Sequence, residues 1–272
     1  LYGIGASLDV AGSRFAAALV LLAFFLLSME QTRFRNWMFF YLLAFVFIAV
    51  VGNMIARTTT VGLLLAIVYL LYKSGFWRLQ LSAESRKLWL YLGGVLLLTI
   101  PLCVYLYQQD AIFRSNLRFA FEGFFSLIEK GEWQVASNER LQNMYVFPDN
   151  LKTWLIGDGY FSNPYNIDPY FTGRFVGGYY MSTDVGYLRF IFYSGLVGLA
   201  AITAVVWKAC LICRSRFEAQ KELFGLFLLV NLLVWFKVST DIFLIFALFM
   251  MVNQDENDTY NRKISLANEN TL

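Results

Sequence analysis

Apolar runs of membrane-spanning length alternate along this chain with short, mostly basic connections. A helix needs about 20 apolar residues to cross a hydrocarbon layer about 30 Å thick. Residues 10–29 meet that length with Arg14 near their start, and residues 37–56 meet it without a charge. A shorter run, 58–72, follows with only Arg57 between. Residues 88–109 are again uncharged and contain Pro101, which predicts a kink. Residues 190–207 complete the clear set. Nearer the C-terminus, the apolar runs 223–236 and 242–254 are separated by Lys237 and Asp241. One continuous helix would carry both charges near its middle, which is costly in lipid, so two short helices turning at 237–241 are expected. The predicted fold is all-α, a polytopic transmembrane helix bundle of about six or seven spans.

Residues 110–184 interrupt this pattern. Helix-to-helix connections in bundles usually take about 2–8 residues, and this one is rich in Phe, Tyr, Leu and Trp, so a folded, partly helical loop is expected. The resulting division is transmembrane helices over 1–109, the large loop over 110–186, further transmembrane helices over 187–254 and a polar tail over 255–272. Three connections are basic: Arg33 and Arg35; Lys73, Arg78, Arg86 and Lys87; Lys208, Arg214, Arg216 and Lys221. Their alternation places all three on the cytoplasmic side. The Arg57 turn and the 110–184 loop then lie outside, and the loop itself holds six Lys/Arg against nine Asp/Glu, with no inside bias. The chain begins at Leu1 without a signal-peptide pattern, so it reads as a portion of a longer membrane protein with further spans on the N-terminal side.

Within the loop, residues 111–132 read as one interfacial helix. Arg114, Arg118 and Glu122 recur every four residues as a polar stripe, the ordinary mark of amphipathicity at a membrane surface. Ser137 is placed to cap a short helix with Glu139 and Arg140 in its first turn. Gly157-Asp158-Gly159 closes the next short turn, and residues 160–180 mix eight aromatics with Gly, Asn and Asp. Such a mixture suits both sugar rings and the headgroup belt. Ser182 or Thr183 can cap the following span, which leaves Asp184 at the positive end of its dipole and Arg189 just over a turn further in.

Composition sharpens this reading by exclusion. Only 15% of the 272 residues are charged, against 58% hydrophobic and 18% aromatic, where soluble domains carry about a quarter charged. Most of the surface must therefore face something other than water. There is no histidine, which removes Ser-His-Asp triads, His-ligated zinc and histidine bases. Three cysteines cannot make a thiolate quartet, and Cys210 with Cys213 reads as a pair of packing thiols. No phosphate loop or dinucleotide fingerprint occurs, and a scattered net charge of +3 does not make a nucleic-acid surface. No metal and no cofactor are expected.

The topology brings Arg57, Arg140 and the Asp184/Arg189 helix entry to one side. Guanidinium groups held at a membrane surface match phosphate or pyrophosphate, which they grip through paired hydrogen bonds. The competing reading of Arg57 is an arginine that snorkels to headgroups.

Three stretches resemble the O-antigen polymerase and ligase superfamily of bacterial envelope enzymes. The run NMIARTTTVGLLLAIVYLL looks like that family's helix-opening arginine followed by hydroxyl residues. Arg140, with Gly157 and Gly159 behind it in LKTWLIGDGYF, is similar to the arginine-then-glycine pattern of the large periplasmic loop. STDVGYLRFIFYSGLVG looks like the Asp-Val-Gly-Tyr entry into the next span. The resemblance covers roughly residues 39–251. Ligases of this superfamily are expected to use a histidine of the large loop, which this chain lacks, so the resemblance favours the repeat-unit polymerase. It implies glycosyl transfer between undecaprenyl-pyrophosphate-linked oligosaccharides at the periplasmic face of the bacterial inner membrane. The implied partners are that lipid-linked oligosaccharide, the bilayer and a chain-length regulator protein, with no nucleic acid. Arg57 and Arg140 would stabilise the leaving pyrophosphate, Asp184 or Glu139 would act as base, and Arg174, Arg189, Tyr187, Tyr160 and Asp158 would bind substrate. A rival of another class, an envelope glycolipid flippase or transporter, would bury polar groups at mid-membrane. Here the polar residues concentrate in one loop.

Overall fold

A computed structural model describes residues 8–28, 37–76, 83–161, 180–240 and 243–251. Every regular element among them is helical. The apolar runs become α1 (Leu8–Ser28), α2 (Met38–Ile55), α3 (Thr59–Lys73), α4 (Ala83–Gln109) and α9 (Gly186–Arg216). The loop contributes α5 (Ala111–Ala120), α6 (Glu122–Lys130), α7 (Ala136–Asn143) and α8 (Leu151–Ile156), and the C-terminal region α10 (Lys221–Val234) and α11 (Phe243–Met251). Four of them, α1, α2, α4 and α9, are long and apolar enough to cross a membrane, and α3 is a shorter apolar helix of 15 residues. This is a helical membrane protein. α4 continues through Pro101, and the C-terminal region forms two short helices, with a turn after Val234.

α1 lies at the centre of the bundle, against α2, α3 and α10. Ala16, Leu19, Val20, Ala23 and Leu26 are fully buried on it. Small residues permit this, since membrane helices gain little from hydrophobic contrast and rely on close backbone approach. At Gly62 on α3 a Cβ would stand 2.2 Å from the Ala16 Cα, so no larger residue fits there without parting α1 from α3. α4 is the opposite case: Leu90, Leu97 and Leu98 are largely exposed, as a helix flanked by lipid should be.

The bundle has two chemically distinct ends. At one, Lys73 pairs with Glu222 at 2.6 Å, Trp89 of α4 donates to Ser74, and Arg216 donates to the Met250 carbonyl. Among the described residues, Lys73 at the end of α3, Arg86 and Lys87 at the start of α4, and Arg214 and Arg216 at the end of α9 belong to this end. The other end carries the α2–α3 turn, the described part of the loop, the start of α9 and the turn after α10. There the Tyr187 amide donates to the Trp235 carbonyl, and a Cβ on Gly186 would stand 2.5 Å from the Val238 oxygen.

Two loop expectations need correction. The helix expected over 111–132 breaks at Phe121, where φ is −115° and ψ 30°, into α5 and α6. Ser137 does not cap α7, whose N-cap is Val135. Its hydroxyl is used elsewhere.

Candidate functional site

Arg57 owes its position to the residues around it. α2 ends at Ile55 and α3 begins at Thr59, so Arg57 occupies a turn too tight to move freely. The hydroxyl residues of ARTTT fold back on the last turn of α2, where the Gly52 carbonyl also accepts from the Ala56 amide at 2.8 Å. Thr59 donates to the Gly52 carbonyl at 3.0 Å, and Thr60 donates to the Asn53 side chain at 2.7 Å. The guanidinium thus projects from a braced corner toward the loop. It donates to the Ser137 hydroxyl at 2.8 Å, pairs with the Glu122 carboxylate at 2.5 Å and stacks over Phe119, 4.0 Å from its centroid. Only 11% of its side chain is exposed, so a snorkelling arginine does not describe it.

A cleft of about 440 Å³ opens beside this guanidinium. Its charged walls are Arg57, Arg118, Lys130, Glu122, Glu129 and Glu139. Arg118 is held bidentately by Glu129, with both contacts at 2.7 Å, and lies over Phe125. The same contacts hold the Glu129 carboxyl below the usual carboxylate range, the Arg118 hydrogen bond outweighing desolvation. Glu139 is exposed in the first turn of α7, and its carboxylate has no hydrogen bond or ion pair among the described residues. It is the carboxylate of the cleft that no described side chain engages.

The stripe of Arg114, Arg118 and Glu122 also makes contacts within the protein. Glu122 and Arg118 line the cleft, while Arg114 closes the end of α4 by donating to the carbonyls of Tyr107 and Gln108 at 2.7 and 2.8 Å. Asp110 caps α5 alongside, accepting from the amides of Ile112 and Phe113.

A second cluster lies where α9 begins. Arg189, 9% exposed, pairs with Asp184 at 3.6 Å and stacks over Phe161 at 4.0 Å. Tyr180 packs against Tyr160 and Phe192 and donates to Asp158 at 3.2 Å. Burial works against the Asp158 carboxylate, but hydrogen bonds from Thr153, Lys152 and Tyr180 prevail and hold its carboxyl below the usual range. Val185 is the N-cap of α9 and has no side-chain cap bond; Thr183 accepts from the Val185 amide and donates to the Met144 carbonyl at 2.6 Å. α7 links the two clusters, Ser137 touching Arg57 at one end and Met144 touching Thr183 at the other. Seven residues of helix separate these contacts by roughly 10 Å.

Of the residues singled out from the sequence, Arg57 and Glu139 share the cleft, and Asp184, Arg189, Asp158 and Tyr160 gather in the second cluster. Arg140 does not join Arg57. It is exposed on α7, outside the cleft lining, with no ion pair among the described residues. Tyr187 belongs to the framework, its hydroxyl donating to the Leu232 carbonyl at 2.8 Å and its ring packed on Trp235 and Phe236. Arg174 lies outside the described residues. Glu122, Glu129, Lys130 and Ser137 were not singled out as site residues. The four-residue rhythm of Arg118, Glu122 and Ser126 carried that signal, but it is shared with any amphipathic surface helix. Comparison of the chain with protein-family models, with curated proteins and with solved structures gives no match.

Proposed function

We propose that this protein is a membrane glycosyltransferase that polymerises undecaprenyl-pyrophosphate-linked oligosaccharide repeat units on the periplasmic face of the bacterial inner membrane. The observation that supports this reading best is that a largely buried guanidinium, Arg57, and an unengaged carboxylate, Glu139, line one cleft at the loop-bearing end of an apolar bundle. In the reaction, a hydroxyl of the acceptor sugar attacks the anomeric carbon of the donor. The bond from that carbon to the pyrophosphate oxygen breaks, and Glu139 takes the hydroxyl proton. The pyrophosphate leaves with added negative charge, which Arg57 stabilises from a fixed position. Glu122 now stands on Arg57 where a phosphate oxygen would stand, so substrate entry displaces it. Asp184, Arg189, Asp158 and Tyr160, roughly a helix length away, offer aromatic faces and carboxylates suited to sugar rings.

The ion pairs among the described residues lie at helix ends and in the loop rather than midway along the spans, which favours surface chemistry over a flippase. The test is chain extension by the full-length protein in proteoliposomes supplied with lipid-linked repeat units. A polymer ladder that disappears with Glu139→Gln supports the reading. Absence of any ladder from the unaltered protein, with the lipid-linked units recovered intact, rejects it.

A further inference from the structure

The charged cleft has an apolar neighbour. A groove of about 480 Å³ runs between α2, α4 and the α5–α6 segment, and Phe125 lines both spaces. Val46 and Val50 form one wall, Ile100 and Val104 another, and Leu117 and Phe121 the third. Thr99 also faces it, but its hydroxyl is spent on the Val95 carbonyl at 2.8 Å. Apart from the Cys103 thiol and the Tyr107 hydroxyl, which accepts from Arg118 at 3.2 Å, no polar group is offered to an occupant.

Resting on the proposed function, we infer that this groove holds the hydrocarbon tail of the same lipid whose phosphate enters the cleft. The α5–α6 segment is the partition between the two. Arg118 and Glu122 line the charged side, and their immediate neighbours Leu117 and Phe121 line the apolar side. Successive helical residues point about 100° apart, which separates Leu117 from Arg118 on α5, and beyond the break Phe121 and Glu122 are divided between the two spaces in the same way. One short segment therefore presents a head-binding face and a tail-binding face together. Along α4 the groove extends from Leu96 to Tyr107. Eleven residues of helix rise about 16 Å, which is about half of a hydrocarbon layer about 30 Å thick. Ile100, Val104 and Phe124 are each more than half exposed, so the groove is open sideways. A tail can slide in from the bilayer while its head stays at the surface. A soluble phosphate or pyrophosphate has no use for such a groove, and an anionic lipid uses both halves of the site.

Cys103 reports on occupancy. It lines the groove and is partly exposed, whereas Cys210 and Cys213 are buried. In the full-length protein in detergent, undecaprenyl pyrophosphate should slow modification of Cys103 by a small apolar maleimide at least tenfold, read by mass spectrometry of its peptide. Inorganic pyrophosphate and a phospholipid at the same concentration should leave the rate unchanged. Equal protection by the phospholipid would mean ordinary boundary lipid and would overturn the proposal. So would failure of undecaprenyl pyrophosphate to protect, or a Cys103 that is inert before any lipid is added, since another protein segment then fills the groove. As a second measurement, Ile100→Trp should raise the half-saturating concentration of long-chain substrate about tenfold and leave that of a short-chain analogue unchanged. Leu90→Trp, on an exposed position of α4 outside the groove, should change neither. Protection of Cys103 without polymer synthesis would retain the groove and reject the polymerase. Polymer synthesis without protection would do the reverse.

Discussion

Gly157 and Gly195 interlock across the contact between the loop and α9. Both have positive φ, 75° and 66°. A Cβ on Gly157 would stand 2.5 Å from the Ser194 nitrogen, and a Cβ on Gly195 would stand 2.2 Å from the Leu155 carbonyl carbon. Gly195 departs from helical geometry in the middle of α9. Just before it, the carbonyls of Phe192 and Tyr193 accept from the amides of Asp158 and Gly159 at 2.7 and 3.1 Å. A broken membrane helix is tolerated where neighbouring groups satisfy its backbone, and here the loop does so. The same docking places Asp158 and Tyr160 beside Tyr180 in the second cluster.

Gly195→Ala should therefore undock the loop. Positive φ alone costs an ordinary residue about 1–3 kcal/mol, and the clash with backbone atoms adds to it. The expected outcome is a Tm lower by several degrees in detergent and increased protease cleavage between α8 and α9. Gly93→Ala is the control. Nothing lies within 4 Å of its would-be Cβ, so alanine in that helix should be neutral or stabilise by up to about 1 kcal/mol.

Arg57 should not tolerate lysine. Lysine keeps the charge but loses the planar fork, and removing a positioned donor costs on the order of a hundredfold in rate. Arg57→Lys should abolish visible chain extension at normal membrane levels of protein. Arg140→Lys, an exposed cation outside the cleft, should cost less than about tenfold by the electrostatics of exposed pairs. A ladder of polymer lengths in a strain without its own polymerase reads both.

Glu122→Gln should release Arg57 for anions. The variant is expected to lower the half-saturating concentration of lipid-linked substrate, because the competing carboxylate is gone. Inorganic pyrophosphate should likewise inhibit it at lower concentration than it inhibits the unaltered protein. Glu139→Gln should act on turnover instead, losing about a hundredfold or more in kcat with little change in KM, as expected for a general base.

Asp158 predicts a specific acid sensitivity. Its carboxyl is held below its ordinary value in the folded protein, so its contribution to stability is present above about pH 4, the ordinary carboxyl value. That contribution is lost as pH falls through the lower folded value. Thermal unfolding in detergent between neutral and strongly acidic pH should show this loss. Asp158→Asn should be less stable near neutrality and less sensitive to acid.

Sidedness is tested by labelling. Lys152→Cys, on the loop-bearing end, should react with an impermeant maleimide in intact spheroplasts. Arg86→Cys, at the opposite end, should react only after permeabilisation. The reverse pattern would put the charged cleft in the cytoplasm and remove the proposed site from its substrate.

The helical class and the four long apolar helices were legible in the sequence because both rest on local physics. An uncharged run such as 37–56 must satisfy its backbone internally wherever it meets lipid, and Lys237 beside Asp241 is enough to expect a turn. The tight turn at Arg57 was also legible, since the apolar runs on either side leave it no loop; its bracing by Thr59 and Thr60 was not. Nor were the partners of that corner. Whether Glu122 faces headgroups or Arg57 depends on the break at Phe121, a difference of one residue in backbone geometry that leaves the periodicity nearly unchanged. Arg140 and Glu139 are adjacent in sequence, yet only Glu139 lines the cleft, because a step of about 100° around α7 separates them. The pairing of Gly157 with Gly195 spans 38 residues. It is set by which two backbones come within contact distance, and only the folded chain decides that.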